Sequence, residues 1–558
     1  MNIASLALKT LAINALAFEE STKAPIRVQR QLLLDYLKRN GNTKYGKECN
    51  FSEIKTIETF QKKVPLSNPE TVAPYTDRMT RGEANVLTSD KPIFFGLTSG
   101  TTSHPKFIPV TKFSRSKKAD VTNLWAYYIY KDHPRVLDGK ILAIVNSEIK
   151  GYTECGIPYG AETGHGYKSM PDVIKHFYAI PYEVFDIKDY DARYYCILRI
   201  AMEQDITTIA TPNPGIIVLL CQKLGNWQDR IIEDIENGTI YHGMSIEEDK
   251  RKRIEECLRP NSDRANFLKT ILKEKKTLLP KYCWPNLELI ECWKGGTLKM
   301  HLKELSRYFG DIKVRDFGYL STEARCSIPM TDEGAGGVLA INTNFYEFIP
   351  REDLERGDKR FLLCDQLKEG MEYSLVLTTP GGLYRYDIGD IIRINGFFNK
   401  TPIVEFVQRG QSVTNLAGEK LYGSQVNEAV NRALDKHKLL IQFYSASIQW
   451  GDIPRYIFLI EFNSNPPSHT KESLLVSIEE ELCQQNIMYE DKRRACLLAP
   501  PILKVVKKGG FEKYRAKKVS EGANDSQFKV PELIPDLNFQ KNFNINEEIS
   551  LPEDDIGI

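Results

Sequence analysis

The sequence predicts a mixed α/β protein of at least two domains, a large N-terminal α/β domain with a β-rich subdomain followed by a smaller C-terminal α+β domain. At 558 residues the chain exceeds the roughly 250 to 300 residues at which a single core stops growing. Between about residue 90 and residue 345, short apolar runs such as Ile141 to Val145 and Gly215 to Leu220 alternate with polar, helix-like stretches, the pattern of a sheet covered by helices. Beyond Tyr373 the pattern changes twice, first to closely spaced strands and then to a second series of helices and strands.

Taken in order, Ile3 to Phe18 is apolar, but Lys9 interrupts it and no basic segment leads it, so an amphipathic first helix is expected rather than a signal peptide. Val28, Leu32, Leu33, Tyr36 and Leu37 recur at helical spacing over 26–40, and Gly41 with Asn42 supplies the stop. Trp125 to Tyr130 is an aromatic run on a helix, a core pattern more than a binding box. Gly156 to Gly166, with Glu162 and His165, reads first as a Gly-rich connection and second as the wall of an acyl pocket. Ser374 to Leu377, Ile391 to Ile394 and Ile403 to Phe406 are strands separated by Gly, Pro and Asn turns.

After Arg409 and Gly410 come a helix over 424–435, a hairpin of strands near 439–449 and 455–462, a helix over 472–485 and a strand near 502–506. Leu474, Ile478 and Leu482 lie one turn apart on that helix, and Gly451 to Pro454 turns the hairpin. The expected domains are 1–409 and 410–535. Residues 536–558, with Glu547, Glu548, Glu553, Asp554 and Asp555, read as a solvated polar tail.

Composition excludes several function classes. Lys and Arg total 75 against 74 for Asp and Glu, with no separate basic block, so the field that gathers nucleic-acid phosphates is missing. No run approaches the roughly 18 to 20 apolar residues that cross a bilayer. Eleven Cys without a CxxC pair suit neither a zinc site nor a disulfide framework and read as reduced residues of a cytoplasmic protein. The eight His show no HExxH spacing. A small-molecule partner is expected.

Three segments carry chemistry. FGLTSGTTSHPKFIPVT (Phe95 to Thr111) gathers Thr98, Ser99, Gly100, Thr101, Thr102 and Lys106. Hydroxyls, freed glycine backbone and an ammonium make a phosphate cradle, although the GxxxxGK[ST] spacing of a P-loop is absent. DFGYLSTE (Asp316 to Glu323) follows a possible strand, Ile312 to Phe317. Tyr319 suits stacking on a base, Thr322 a phosphate and Glu323 Mg2+, while a helix N-cap at Ser321 to Glu323 is the plainer alternative. GLYRYDIGDIIRINGF (Gly382 to Phe397) sets Asp387, Asp390, Arg385 and Arg393 in a turn between strands. Asp390 suits a ribose diol, and equally an ordinary Gly-Asp turn.

Together, TSGTTSHPK, YLSTE and YRYDIGD resemble the phosphate loop, YGxTE and YRTGD motifs of the adenylate-forming superfamily. FQKKVPLSNPETVAPYTDRM (Phe60 to Met79), NFYEFIP (Asn344 to Pro350) and GFEKYRAKKVSEGANDSQFKVPE (Gly510 to Glu532) make the chain most similar to the auxin-responsive acyl acid amido synthetases, the Gretchen Hagen Three family. The resemblance implies the adenylate-forming fold with a mobile C-terminal lid and a hinge near Arg409 to Gln411. It also implies an ATP- and Mg2+-dependent joining of a carboxylic acid to an amino acid. Ser99, Gly100, Thr101 and Thr102 would bind phosphates, Thr322 and Glu323 phosphate and Mg2+, and Asp390 the ribose. Arg409 and Lys420 would meet the nucleotide, and Lys529 would approach the reacting carboxylate and α-phosphate. A monomer is expected. Two departures stand out: Ser103 and His104 replace Gly in the loop, and KVPE replaces KTPR at the end. An acyl-CoA ligase and a non-catalytic nucleotide-binding scaffold are the alternatives.

Overall fold

Residues 3–98, 106–145, 149–295, 301–356, 359–409, 413–520 and 532–551 are described in the computed structural model. They fall into two units, Met1–Thr98 with Lys106–Gln408, and Arg409–Ile558, each with its own core.

In the first unit the helices Ile3–Ser21 and Pro25–Asn40 come first, the second with Pro25 in its opening turn and Leu33, Tyr36 and Leu37 buried. Gln29 ties this helix to a segment over 300 residues away. Its Nε2 donates to the carbonyls of Ile341 (2.6 Å) and Asn344 (2.7 Å), and its Oε1 accepts from the Tyr346 N–H (2.9 Å). A buried amide is tolerated because it is satisfied this way.

Strands β1 (Pro92–Thr98) and β2 (Lys106–Thr111) pair antiparallel. β2 passes straight into the helix Lys112–Asp132 through a reciprocal Thr111–Ser114 capping box. There follow β3 (Lys140–Ala143), β4 (Ile149–Tyr152), β5 (Pro158–Gly160), the helix Glu162–Lys168, β6 (Ile206–Ala210), β7 (Leu289–Glu291) and β8 (Lys313–Arg315). β3, β6, β7 and β8 form a parallel sheet in that order, and a second sheet runs β2-β1-β5-β4.

Gly215 to Leu220, expected as a strand, is instead part of the helix Pro214–Asn237. Pro214 stands at its first turn and the Asn213 side chain caps the Gly215 N–H at 2.8 Å, so the local start signal outweighs the apolar run.

β9 (Ser327–Ile328), β10 (Gly337–Leu339), β11 (Phe345–Pro350), β12 (Glu372–Thr378), β13 (Tyr386–Phe398) and β14 (Thr401–Arg409) form a six-stranded sheet in the order β11-β12-β13-β14-β10-β9. One apolar cluster joins it to the N-terminal helices, running from Phe18 and Leu37 through Trp125 and Tyr128 to Phe345, Leu375, Ile392 and Val404. Within it Arg385 pairs with Glu347 at 3.0 Å, donates to the carbonyls of Gln61 (2.7 Å) and Val64 (2.9 Å), and lies 4.2 Å over the Phe361 ring. Arg385 is therefore an internal brace. Burial pushes the Glu347 carboxyl up, and Arg385 offsets part of that.

The second unit holds β15 (Val413–Thr414), β16 (Leu421–Tyr422), the helix Gly423–His437, β17 (Ile441–Gln449), β18 (Arg455–Phe462), the helix Ser468–Gln485, β19 (Ile502–Val506) and β20 (Ile545–Ser550). Its main sheet runs β17-β18-β19-β20, with β17 and β18 an antiparallel hairpin and β19 parallel to β18.

β20 corrects the reading of 536–558 as a solvated tail. It pairs antiparallel with β19, and Phe539 and Phe543 before it enter the core with Ile457, Ile502 and Phe511. Its acidic residues do not mark coil: Glu548 meets Lys504 at 2.9 Å, and Glu547 meets Lys471. Charge along an edge strand guards it against pairing with other chains. Residues 552–558 lie outside the described residues.

Removing 538–558 is expected to unfold the second unit. Phe539, Phe543 and Ile549 are each buried and each contribute about 1.5–3 kcal/mol. Limited proteolysis should then cut within 441–506; protection equal to the full chain would contradict the role given to β20.

Candidate functional site

The segment after β8 is shaped by backbone rules first. The Asp316 carboxylate accepts the N–H groups of Lys294 and Gly318, both at 2.6 Å. Gly318 has φ +79°, and a Cβ there would meet the Ser327 carbonyl at 2.6 Å, so glycine is required on two counts. Leu320 and Arg325 then form an isolated antiparallel bridge. Ser321 N–H donates to the Ala324 carbonyl (2.9 Å) and Cys326 N–H to that of Tyr319 (2.8 Å). The result is a small hairpin with Thr322 and Glu323 at its tip. No helix begins at Ser321 to Glu323, so the N-cap alternative is not realised. The strand expected over Ile312 to Phe317 is the shorter β8.

The Tyr319 hydroxyl donates to Asp390 Oδ2 at 2.6 Å, and its ring stacks on Phe406 at 6.0 Å between centroids. Asp390 lies inside β13 rather than in a turn between strands. Ser374 pairs with Ile391 and Val376 with Asp387, so Ile388, Gly389 and Asp390 together oppose Leu375. This bulge, with Gly389 at φ +72° and its N–H held by Asp387 at 2.9 Å, aims Asp390 toward Tyr319.

β1 reaches the same place. A Cβ on Gly96 would meet Thr322 Cγ2 at 2.5 Å, so the absence of a side chain lets the strand that leads to Thr98 lie against the hairpin tip. Lys118, on the helix Lys112–Asp132, donates to the Thr322 carbonyl and to both Glu162 oxygens, each at 2.7 Å. One turn earlier, Arg115 lies 2.9 Å from His165 Nε2, and that imidazole stacks on Phe94 at 4.2 Å. Beside Thr322 there is therefore a cluster of two cations, a carboxylate and an imidazole. Glu162 and His165 belong to a helix, not to a Gly-rich connection.

Charge converges here too. The thiol of buried Cys326 is pushed up chiefly by burial, and both Asp390 and Glu323 raise it further. At the ends of β7 and β8, burial raises Asp316 to about 6 and Glu291 to about 8, and lowers Arg325 to about 10. No group of three or more His, Cys, Asp or Glu among the described residues has metal-holding geometry.

The structure thus brings together Tyr319, Thr322, Glu323 and Asp390. Lys106 opens β2 with its Nζ 3.7 Å from Glu70. Lys420 belongs to the second unit, at φ +49°, with Asn486 donating to its carbonyl at 3.3 Å. Ser99, Gly100, Thr101, Thr102 and Lys529 lie outside the described residues, as do the side chains of Thr98 and Arg409. Gly96, Arg115, Lys118 and Phe406 were not singled out by sequence reading. The available signals were a glycine inside an apolar strand and the spacing of Lys118, Thr122 and Trp125 on one helix face.

Comparison with known proteins adds three matches along the chain. Residues 15–314 match a model described as the GH3 family N-terminal domain, 337–409 the GH3 family central domain and 424–538 the GH3 family C-terminal domain. The chain is 25% identical to indole-3-acetic acid-amido synthetase GH3.3 of Arabidopsis thaliana, over 94% of this chain and 92% of that protein. It is 24% identical to jasmonoyl-L-amino acid synthetase JAR4 of Nicotiana attenuata, over 93% of each. Its fold is similar to that of the GH3.15 acyl acid amido synthetase, with TM-score 0.64, 22% identity and 96% of both chains covered.

Tyr319→Phe removes the hydroxyl donor to Asp390. A hydrogen bond to a carboxylate is worth about 1.5–3 kcal/mol, so the urea midpoint should fall; an unchanged midpoint would contradict the bond. Glu291 titrates near 8 when folded against a reference value of 4.5, so the folded chain holds the extra proton between those values. Its contribution is complete below about pH 4.5 and lost as pH rises through about 8. Glu291→Gln should therefore gain on the parent steadily between about pH 5 and about pH 8 in urea unfolding, where a pH-independent difference is the contrary result.

Proposed function

We propose that this chain, which belongs to the GH3 family, is an ATP-dependent acyl acid amido synthetase, a carbon–nitrogen ligase. It adenylates a small carboxylic acid and passes the acyl group to the amine of an amino acid. The observation that carries this reading is the meeting of β1, the Thr322–Glu323 tip and Asp390 in one place, through Gly96 and the Tyr319 hydroxyl. The relatives' names, an indole-3-acetic acid-amido synthetase and a jasmonoyl-L-amino acid synthetase, support acid and amino acid as the two partners.

A carboxylate does not acylate amines because its leaving group would be oxide. In the first step a carboxylate oxygen attacks the α-phosphorus, a new P–O bond forms and pyrophosphate leaves. In the second the amine nitrogen attacks the carbonyl carbon, the amide C–N bond forms, AMP departs with the former carboxylate oxygen, and the nitrogen loses a proton. The protein's part is alignment and charge placement. Ser99, Gly100, Thr101, Thr102 and Lys106, with Thr98 leading in, would cradle the phosphates, and Thr322 would donate at the hairpin tip. Asp390 would take the ribose, with Tyr319 holding its carboxylate in place. Lys118, paired with Glu162 and bound to the Thr322 carbonyl, would hold the tip in place, and Arg115 one turn earlier would leave that helix with a net positive charge.

Mg2+ fits as the companion of the triphosphate. The ion prefers one or two carboxylates with phosphate oxygens, and Glu323 is a single buried carboxyl at the tip. It would supply neutralisation of phosphate charge. Lys529 would bring an ammonium to the α-phosphate, and Arg409 and Lys420 would meet the nucleotide from the C-terminal unit. Rotation of the C-terminal unit as a lid between the two steps would exclude water from the adenylate. Eleven Cys without a CxxC pair in the sequence support a cytoplasmic location, and we place the protein there as a monomer.

Exchange of labelled pyrophosphate into ATP across a panel of carboxylic acids, then of amino acids and CoA with the best acid, tests the reading. Exchange and an amide product are expected; a thioester product would select acyl-CoA ligation, and ATP binding without exchange a non-catalytic scaffold. Lys529→Ala should lower exchange about 100- to 1,000-fold, the range for loss of one charge-stabilising donor. Full exchange by that variant would remove the residue from its role.

A further inference from the structure

Arg325 follows the Thr322–Glu323 tip by two residues and takes no part in the chemistry described above. It is buried, a costly place for a guanidinium. Its Nη1 donates to Thr122 Oγ1 at 3.2 Å and its Nη2 to the Phe317 carbonyl at 3.1 Å. Its plane lies 4.7 Å over the Trp125 ring. Trp125 in turn donates from its indole N–H to the Asp316 carbonyl at 2.9 Å and stacks on Phe317 at 4.9 Å. The guanidinium thus grips both stems of the hairpin, Phe317 before it and Arg325 after it, and fastens them to the helix Lys112–Asp132. Lys118 on that helix holds the tip itself, at the Thr322 carbonyl.

We propose that Arg325 is a positioning residue for nucleotide binding, its guanidinium fixing the hairpin so that Tyr319, Thr322 and Glu323 stand ready for the triphosphate. This rests on the amido synthetase reading. Two features separate it from a brace that merely stabilises. Arg325 divides its donors between the turn that carries the candidate site, at the Phe317 carbonyl, and the helix that holds it, at Thr122, and its Nε has no hydrogen-bond partner among the described residues, so the guanidinium is not fully satisfied by the fold. Glu291 is the leading opposite charge near it, and burial holds that carboxyl toward its neutral form. A lysine cannot replace the arrangement, because an ammonium lacks the flat fork that reaches Thr122 and Phe317 while lying on an indole.

The test is calorimetric titration of the full chain with Mg-ATP, which needs no knowledge of the acid. Arg325→Lys should weaken the Kd about tenfold, and Thr122→Val, an exposed position whose change leaves the core intact, about threefold. The matched control is Arg264→Lys. That arginine also holds two carbonyls, of Met202 (2.7 Å) and Cys283 (2.8 Å), and lies over the Phe267 ring at 4.9 Å. It should lose thermal stability yet keep its Kd. Kd values within twofold of the parent for both Arg325→Lys and Thr122→Val would overturn the inference, as would an equal loss in Arg264→Lys. A parent chain that binds no Mg-ATP would instead contradict the amido synthetase reading itself, and this inference with it.

Discussion

The hydrogen bond from the Tyr319 hydroxyl to Asp390, 2.6 Å long between buried groups 71 residues apart, is the constraint on which the site depends. One end sits on a hairpin following the parallel sheet and the other on a bulge in the six-stranded sheet, so the two sheets must be in register for it to form. A buried carboxylate without a donor is costly, and this bond makes correct assembly of the first unit and correct placement of Asp390 the same event. Gly96 adds a third element, since a strand with any side chain at that position would be pushed off the Thr322 tip.

Several polar groups around this bond are held by partners of matched kind. Arg385 braces Glu347 and two carbonyls beneath β13, which explains why a YRYDIGD segment carries an arginine that faces inward. Asp316 is held by two backbone N–H groups, and Arg315 by Asp132 and Asp332, both at 2.6 Å. Low-dielectric surroundings make each pair rigid, and rigidity is what a site built on alignment requires.

Much of this was legible from local signals. The helix Pro25–Asn40, the hairpin β17–β18 and the strands β12 to β14 follow from periodicity and turn residues, and Tyr319, Thr322, Glu323 and Asp390 were identifiable as a set. Failures came where a few residues outweighed a pattern. Asn213 and Pro214 turned an apolar run into a helix. Acidic side chains at 547 and 548 hid an edge strand, because their lysine partners, Lys471 and Lys504, are remote in sequence. The bulge that aims Asp390 depends on the register with β12, and the Arg115–His165 and Lys118–Glu162 contacts on packing between helices. The bulge and these two contacts are set by tertiary pairing and packing, not by local spacing.

Under the proposed function, this geometry would serve transfer of a carboxylate oxygen onto the α-phosphate of ATP. A turnover with both oxygens of the carboxylic acid labelled with the heavy isotope tests that directly by mass spectrometry. The account requires one labelled oxygen to appear in AMP and the other to stay in the amide. Label in inorganic phosphate with ADP as product, or in no phosphate at all, would contradict adenylation and with it the function given to this site.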